Sequence, residues 1–165
     1  MKRFSLAVAT ALAALVLTAN IALGAITFHS GPTIDWSTPT NGATATFNIS
    51  GLGNEPARAR LVMEGFATYT CRNKGGNAAP GQNPVPAQST SPFVPLSNSE
   101  KNGRDTVQVT GTLTAPDSVN PQVAGCPNGK WTANRDSLTV TGATLIIEQP
   151  FGNVIYSQFF DNPNN

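Results

Sequence analysis

The stretch that decides the fold is residues 58–71, which read RARLVMEGFATYTC. The face of this stretch that we expect to point inward consists of Ala59, Leu61, Met63, Gly65, Ala67, Tyr69 and Cys71. The face that we expect to point outward consists of Arg58, Arg60, Val62, Glu64, Phe66, Thr68 and Thr70. Because a period of two is the pattern of a β-strand with one buried face, the stretch predicts a long strand that ends in an inward-facing cysteine.

The start of the chain has the parts of a secretory signal peptide. Positive residues at Lys2 and Arg3 precede an apolar run over residues 6–17, and small residues follow before Ala25. An uncleaved membrane helix is the alternative, but the apolar run is short for a span, which needs about 20 residues. We therefore expect residues 1–24 to be removed, and the protein to lie outside the cell, on the cell surface or in a periplasm.

Residues 25–165 have the length of a single domain. The formal net charge of the chain is +1 and only 12% of its residues are charged. So few basic residues give no electrostatic footprint for nucleic acid and no polybasic patch for a membrane surface. We expect neither kind of partner once the signal peptide has been cleaved.

The two cysteines, Cys71 and Cys126, both follow the predicted signal peptide. In an oxidising compartment an even pair is most simply one disulfide, which would stabilise the fold by about 4 kcal/mol because it closes a long loop. Two free thiols or a metal site are the alternatives. A metal site lacks ligands, because His29 is the only histidine and lies far away in the sequence.

Short alternating runs between turn signals predict further strands. They cover residues 25–30, 44–50, 105–115, 138–141, 144–148 and 154–160. Gly31-Pro32 is expected to end the first strand, and Asn102-Gly103 to form a hairpin turn. Together these patterns predict an all-β fold, an immunoglobulin-like antiparallel β-sandwich of about seven to nine strands with one disulfide, with a jelly roll or small barrel as the alternative.

Two polar segments next to the cysteines are predicted to be loops. Residues 73–92 contain little that could be buried, and loops of such length are usually functional or mobile. Residues 116–130 form the second loop, and residues 161–165 are expected to fray. If the disulfide forms, it places both loops at one end of the sandwich, which is where we expect a functional surface.

The same loops carry a resemblance to known proteins. The segment from Cys71 to Asn77 reads CRNKGGN, and Cys126-Pro127 follows later in the chain. In this pattern the chain resembles a loose group of small secreted microbial proteins with a Cys-x-Asn-x-Gly-Gly loop and a later Cys-Pro. The resemblance implies a secreted, β-rich domain with one disulfide, and no catalytic role transfers with it.

Residues suited to catalysis form no convincing constellation. His29 lies next to Ser30 without a Gly-x-Ser-x-Gly elbow to present a nucleophile. The carboxylates, Glu148 among them, fall mostly in turns or at outward strand positions, where a solvated surface is the default interpretation. We expect no enzymatic activity and no cofactor. A small secreted hydrolase, which would need two carboxylates about 5–10 Å apart in a cleft, is an alternative.

Oxygen ligands for calcium occur in the second loop and shortly after it. The candidates are Asp117, Asn120, Asn128, Asn134 and Asp136. Their spacing is not that of an EF-hand, and ordinary turn chemistry accounts for them equally well. We therefore expect no metal site.

A glycosylation acceptor pattern starts at Asn48, which is followed by Ile49 and Ser50. Strand alternation predicts that Asn48 points outward. Modification at this position would depend on the host.

Aromatic and amide side chains and one lysine in the loops are the best candidates for binding. They are Trp36, Asn73, Lys74, Asn77, Gln82, Asn128 and Trp131. Trp36 is expected to be an exposed ring in a loop, whereas Trp131 is as well suited to packing on the disulfide. These residues favour a non-enzymatic extracellular binding, surface or structural module with a glycan or protein partner, and a carbohydrate- or cell-wall-binding module is the nearest alternative.

Overall fold

The structure is a computed structural model and describes residues 26–164. This part of the chain forms ten strands, one single-turn α-helix and one 3₁₀ turn. The strands are β1 (Thr27–Ser37), β2 (Gly42–Ser50), β3 (Ala57–Arg72), β4 (Ala78–Pro80), β5 (Val85–Thr90), β6 (Val94–Leu96), β7 (Val107–Thr112), β8 (Ser118–Val119), β9 (Thr132–Glu148) and β10 (Val154–Asp161). The helix α1 is Asn98–Lys101, and the 3₁₀ turn is Thr38–Thr40.

Two antiparallel sheets face each other. The smaller sheet has the order β1-β2-β7, and the larger sheet has the order β10-β9-β3. The short strands β4, β5 and β6 pair along the other edge of β3, and β8 pairs with the start of β9. The prediction of an all-β sandwich with one disulfide is confirmed.

Strands β3 and β9 are the centre of the molecule. They pair along their whole length, from Arg58 opposite Glu148 to Arg72 opposite Thr132. The predicted inward face of β3 is buried at every position except Gly65, which is half-buried. Each fully buried large apolar side chain on this face stabilises the fold by about 1.5–3 kcal/mol, so the alternation of residues 58–71 does decide the fold.

The first predicted strand does not stop at Gly31-Pro32. Strand β1 continues to Ser37, and the register with β2 shifts between Ser30 and Thr33. Strand β1 is an edge strand, where a proline is tolerated because its missing N–H removes no inner ladder bond. Gly31 has φ +69°, and a Cβ there would lie 2.5 Å from the Thr46 carbonyl oxygen. The Gly-Pro pair therefore forms a bulge rather than an end.

The prediction that residues 73–92 are a loop is wrong for much of the segment. Strand β5 pairs with β3 from Val85 opposite Ala67 to Thr90 opposite Val62, and the short β4 pairs with the end of β3. Both strands are rich in prolines and polar residues and so lack the apolar alternation that predicts a strand. An edge strand can have this composition because it buries few side chains and accepts proline.

The predicted Asn102-Gly103 hairpin is a helix end instead. Helix α1 has a capping box in which the Glu100 N–H donates to Ser97 Oγ over 3.2 Å. The Ser97 N–H donates in return to the Glu100 carboxylate over 2.6 Å. Asn102 then forms the C-cap, so the pair connects a helix to β7 and not two strands.

The two strands predicted for residues 138–141 and 144–148 are parts of β9. Gly142 between them does not break the strand, because the Phe159 ring fills the space above it; a Cβ at this position would lie 2.2 Å from Phe159 Cζ.

The expected fraying after Phe160 is also wrong over the described residues. Asn162 donates from its backbone N–H to the Thr141 carbonyl oxygen over 2.8 Å and ties the chain to β9.

The predicted signal peptide, residues 1–24, lies outside the described residues. Within residues 26–164, no helix has both the length and the apolar character needed to cross a bilayer.

Candidate ligand groove at the disulfide end

The disulfide joins the end of β3 to the loop before β9. Cys71 and Cys126 form an S–S bond of 2.04 Å across a sequence separation of 55 residues, and Cys71 is fully buried. The predicted pairing is therefore confirmed. The bond therefore lies at the end of β3, where Cys71 pairs with Ala133 and Arg72 pairs with Thr132 of β9.

The second polar loop is packed against this end of the larger sheet. A small apolar cluster there consists of Ala67, Tyr69, Ala124 and Ala133. The Tyr69 hydroxyl donates to the Pro116 carbonyl oxygen over 3.0 Å, and the Cys126 N–H donates to the Pro121 carbonyl oxygen over 2.8 Å. The loop is therefore ordered by its own backbone bonds as well as by the disulfide.

The turn after β3 is equally well defined. The Asn73 N–H donates to the Asn77 carbonyl oxygen over 3.1 Å, and the Asn73 side-chain oxygen accepts from the Asn77 N–H over 2.9 Å. Asparagine favours turns of this kind because its side chain can form hydrogen bonds with the nearby backbone. Lys74 and Gly75 lie at the tip of the turn, next to the loop that carries Cys126.

A groove opens between the turn and the loop. It has a volume of about 690 Å³, and we call it the Trp131 groove. Its lining residues are Asn73, Lys74, Gly75, Asn128, Lys130 and Trp131. Four of the seven residues that the sequence singled out for binding, Asn73, Lys74, Asn128 and Trp131, thus line one groove.

The polar groups of the Trp131 groove are mostly donors. The Asn128 side-chain oxygen accepts from the Lys130 N–H over 3.0 Å, as the Asn73 oxygen accepts from Asn77. Among the described residues, neither amide nitrogen has an acceptor, and neither Lys74 nor Lys130 forms an ion pair. Because ammonium and amide N–H groups only donate, the groove presents positive charge and hydrogen-bond donors around a half-buried indole.

Three predicted binding residues lie outside the groove. Asn77 and Gln82 are exposed but do not line it. The prediction that Trp36 is an exposed ring in a loop is wrong, because β1 extends to Ser37 and the ring is half-buried against the main core. Trp36 instead borders a smaller cavity of about 120 Å³ together with Asn41 and Asn162.

Three of the residues considered for catalysis or calcium binding, His29, Asp117 and Asn120, have structural partners. His29 Nε2 lies 2.8 Å from Ser50 Oγ rather than facing Ser30. Asp117 pairs with Arg135 over 2.6 Å, and the Asn120 side chain accepts from the Gln122 N–H within its own turn. Within residues 26–164, no three acidic, histidine or cysteine side chains are grouped as metal ligands.

The acceptor position Asn48 is half-buried in the smaller sheet. Its side-chain nitrogen donates to the Gly103 carbonyl oxygen over 3.1 Å. Glycosylation at Asn48 would therefore require this hydrogen bond to break.

The sequence missed an ion cluster at the opposite end of β3. Glu148, predicted to be a solvated surface residue, has a side chain that is only 5% exposed and lies 2.7 Å from Arg58 Nη2. A hydrogen bond from the Gly152 N–H and the nearby arginines lower the pKa of the Glu148 carboxyl below its ordinary value, against the opposing effect of burial. The Arg58 guanidinium lies 3.5 Å from the Phe93 ring centroid. The sequence could not indicate this cluster, because Arg58 and Glu148 meet only through the pairing of β3 with β9.

Comparison of the chain with family models, with curated proteins and with solved structures finds no match. The functional conclusion therefore rests on the residues of the Trp131 groove and on the way the fold holds them.

Proposed function

We propose that this protein is a secreted, non-enzymatic binding module that recognises a glycan outside the cell through the Trp131 groove. The observation that carries the proposal is the grouping of Trp131 with the amides of Asn73 and Asn128 on an ordered, disulfide-closed end of the sandwich. Such a groove needs little ordering when a ligand binds, so more of the contact energy appears as affinity.

The chemistry of the groove suits a sugar. An indole combines a flat apolar surface with a polar tip, and the apolar C–H face of a sugar ring can pack on it. The two amide nitrogens are donors without a partner among the described residues, and they can donate to sugar hydroxyls. A few polar groups around an apolar surface are the usual composition of a small-molecule site.

The same composition argues against hydrolysis at this position. Glycoside hydrolysis generally uses two carboxylates, one on each side of the bond that is cleaved. The described lining of the Trp131 groove contains none. The small hydrolase considered from the sequence therefore has less support than the binding module.

A glycan and cell-wall polysaccharide screen of the mature protein, with and without reductant, tests the proposal. We expect Trp131→Ala to weaken binding at least about tenfold, which corresponds to about 1.4 kcal/mol. Phe159→Ala is the matched control, because Phe159 is an aromatic residue that is 45% exposed on β10, away from the groove. The proposal fails if no glycan binds, or if Trp131→Ala binds as well as the unmodified protein.

A further inference from the structure

We infer that the glycan bound by the Trp131 groove is acidic, a sugar chain that carries carboxylate or sulfate groups. The inference rests on the proposed function and names the ligand class of the same site. Its starting point is that Lys74 and Lys130 both line the groove while no carboxylate does.

The sequence segregates charge towards this end of the molecule. Residues 66–85 and 118–135, which include the disulfide and both lining segments of the groove, contain no aspartate or glutamate, and the nearby Asp117 pairs with Arg135. The basic residues of these two segments are Arg72, Lys74, Lys130 and Arg135. Arg135 is neutralised by Asp117 over 2.6 Å, so three positive charges remain without an acidic partner among the described residues.

Basic residues elsewhere in the described sandwich are mostly used by the fold. Arg58 and Arg60 lie beside Glu148, at 2.7 and 3.9 Å. Lys101 is buried, and its ammonium donates to the Glu55 carbonyl oxygen over 3.1 Å. Unlike these residues, the two lysines of the Trp131 groove have no such role in the packing of the described part of the fold.

The hydrogen-bonding capacity of the groove matches an acidic group. Carboxylate and sulfate oxygens only accept, whereas the free groups of Lys74, Lys130, Asn73 and Asn128 only donate. Charge-assisted hydrogen bonds of this kind are about twice as strong as neutral ones. We therefore place the sugar ring against Trp131 and its acidic substituent between the two ammonium groups.

Fluorescence titration can observe the groove alone. The sequence has two tryptophans, so Trp36→Phe leaves Trp131 as the single tryptophan reporter. The probes are oligogalacturonate, the same oligosaccharide with its carboxylates methyl-esterified, and a sulfated oligosaccharide. We expect the two acidic probes to bind at least about tenfold more tightly than the ester, with affinity that falls as salt rises. Calorimetry of the unmodified protein replaces fluorescence if Trp36→Phe disturbs the core.

A pair of matched variants locates the effect. Lys74→Gln should weaken binding of the acidic probes by at least about fivefold and leave the ester unchanged. Arg104→Gln removes the same charge at an exposed position away from the groove and should change neither. Equal binding of the ester and the acid, or full affinity in Lys74→Gln, would overturn the inference. If the ester binds as tightly as the acidic probes and Trp131→Ala abolishes its binding, the proposed function stands while the acidic specificity falls.

Discussion

The two ends of β3 carry similar charges but use them differently. At the end that begins with Ala57, Arg58 and Arg60 pack on Phe93 and share the buried carboxylate of Glu148. At the end that closes on Cys71, Lys74 and Lys130 border an open groove without any acidic partner among the described residues. Charge that the fold uses is paired and buried, and charge that is left unpaired on an ordered surface is available for a ligand.

The two ends are also stabilised by different means. The disulfide end has a small apolar cluster of four buried residues, whereas the main core extends between the two sheets. A covalent bond and backbone hydrogen bonds compensate there for the limited apolar burial. The Glu148 end instead depends on charged side chains, so it should respond to pH while the disulfide end responds to reductant.

The largest expected effect is that of removing the disulfide. Replacing Cys71 and Cys126 together by serine should lower the free energy of unfolding by about 4 kcal/mol, because the denatured chain regains the freedom of a long loop. Urea denaturation followed by circular dichroism measures this change. Matching denaturation midpoints for the variant and the oxidised protein would show that the bond adds no stability.

The second effect is that of Glu148→Gln. Neutralising the carboxylate leaves two arginines without their acidic partner, and breaking a buried ion pair costs about 3–5 kcal/mol. We expect about 3 kcal/mol, because Arg58 and Arg60 remain 26% and 30% exposed. Glu55→Gln is the control, since Glu55 is exposed and should stay within about 0.5 kcal/mol of the unmodified protein.

The contribution of Glu148 to the free energy of unfolding should also decrease as the pH falls. Its pKa in the folded protein lies below its ordinary value of 4.5, so its stabilisation is complete above that value. It is lost as the pH falls through the folded pKa, because the protonated carboxyl no longer attracts the arginines. The difference in unfolding free energy between the unmodified protein and Glu148→Gln should therefore shrink as the pH falls below 4.5 and through the lowered pKa of the folded protein. If this difference in unfolding free energy stays constant with pH, the ionised Glu148 carboxylate is not the group that stabilises this end.

The smallest effect should come from the ion pair at the disulfide end. Asp117 is 93% exposed, so its bond with Arg135 is a surface salt bridge, worth about 0–1 kcal/mol. Asp117→Asn should therefore change the thermal unfolding midpoint only slightly, and less in high salt. A loss above about 2 kcal/mol would mean that this end is held by charge as the other end is.

The strands that bury one clean face were predictable. Strands β3, β7 and β10 were found because their apolar residues alternate, and the disulfide because the sequence contains two cysteines. Strands β4 and β5 were missed because edge strands with prolines bury little. Glu148 was misassigned because burial of a charge depends on partners that only strand pairing brings together.

The Trp131 groove was predictable in part because the disulfide was predictable. Asn73, Lys74, Asn128 and Trp131 belong to loops whose proximity follows from a single covalent bond between cysteines, which the sequence indicates directly. Trp36 was wrongly predicted to lie in a loop, because Gly31-Pro32 is a pattern that usually ends a strand. In the structure the pair forms a bulge and the edge strand continues past it.

The most direct test of the account is to map the ligand on the backbone by NMR. An acidic oligosaccharide should be titrated into ¹⁵N-labelled protein, and the amide shifts of the two ends of β3 compared. We predict that the largest changes fall in residues 73–77 and 126–131, with little change around Arg58, Arg60 and Phe93. Largest changes at the arginine end, or none at the Trp131 groove, would contradict the conclusion that the unpaired charge of the disulfide end is the binding site.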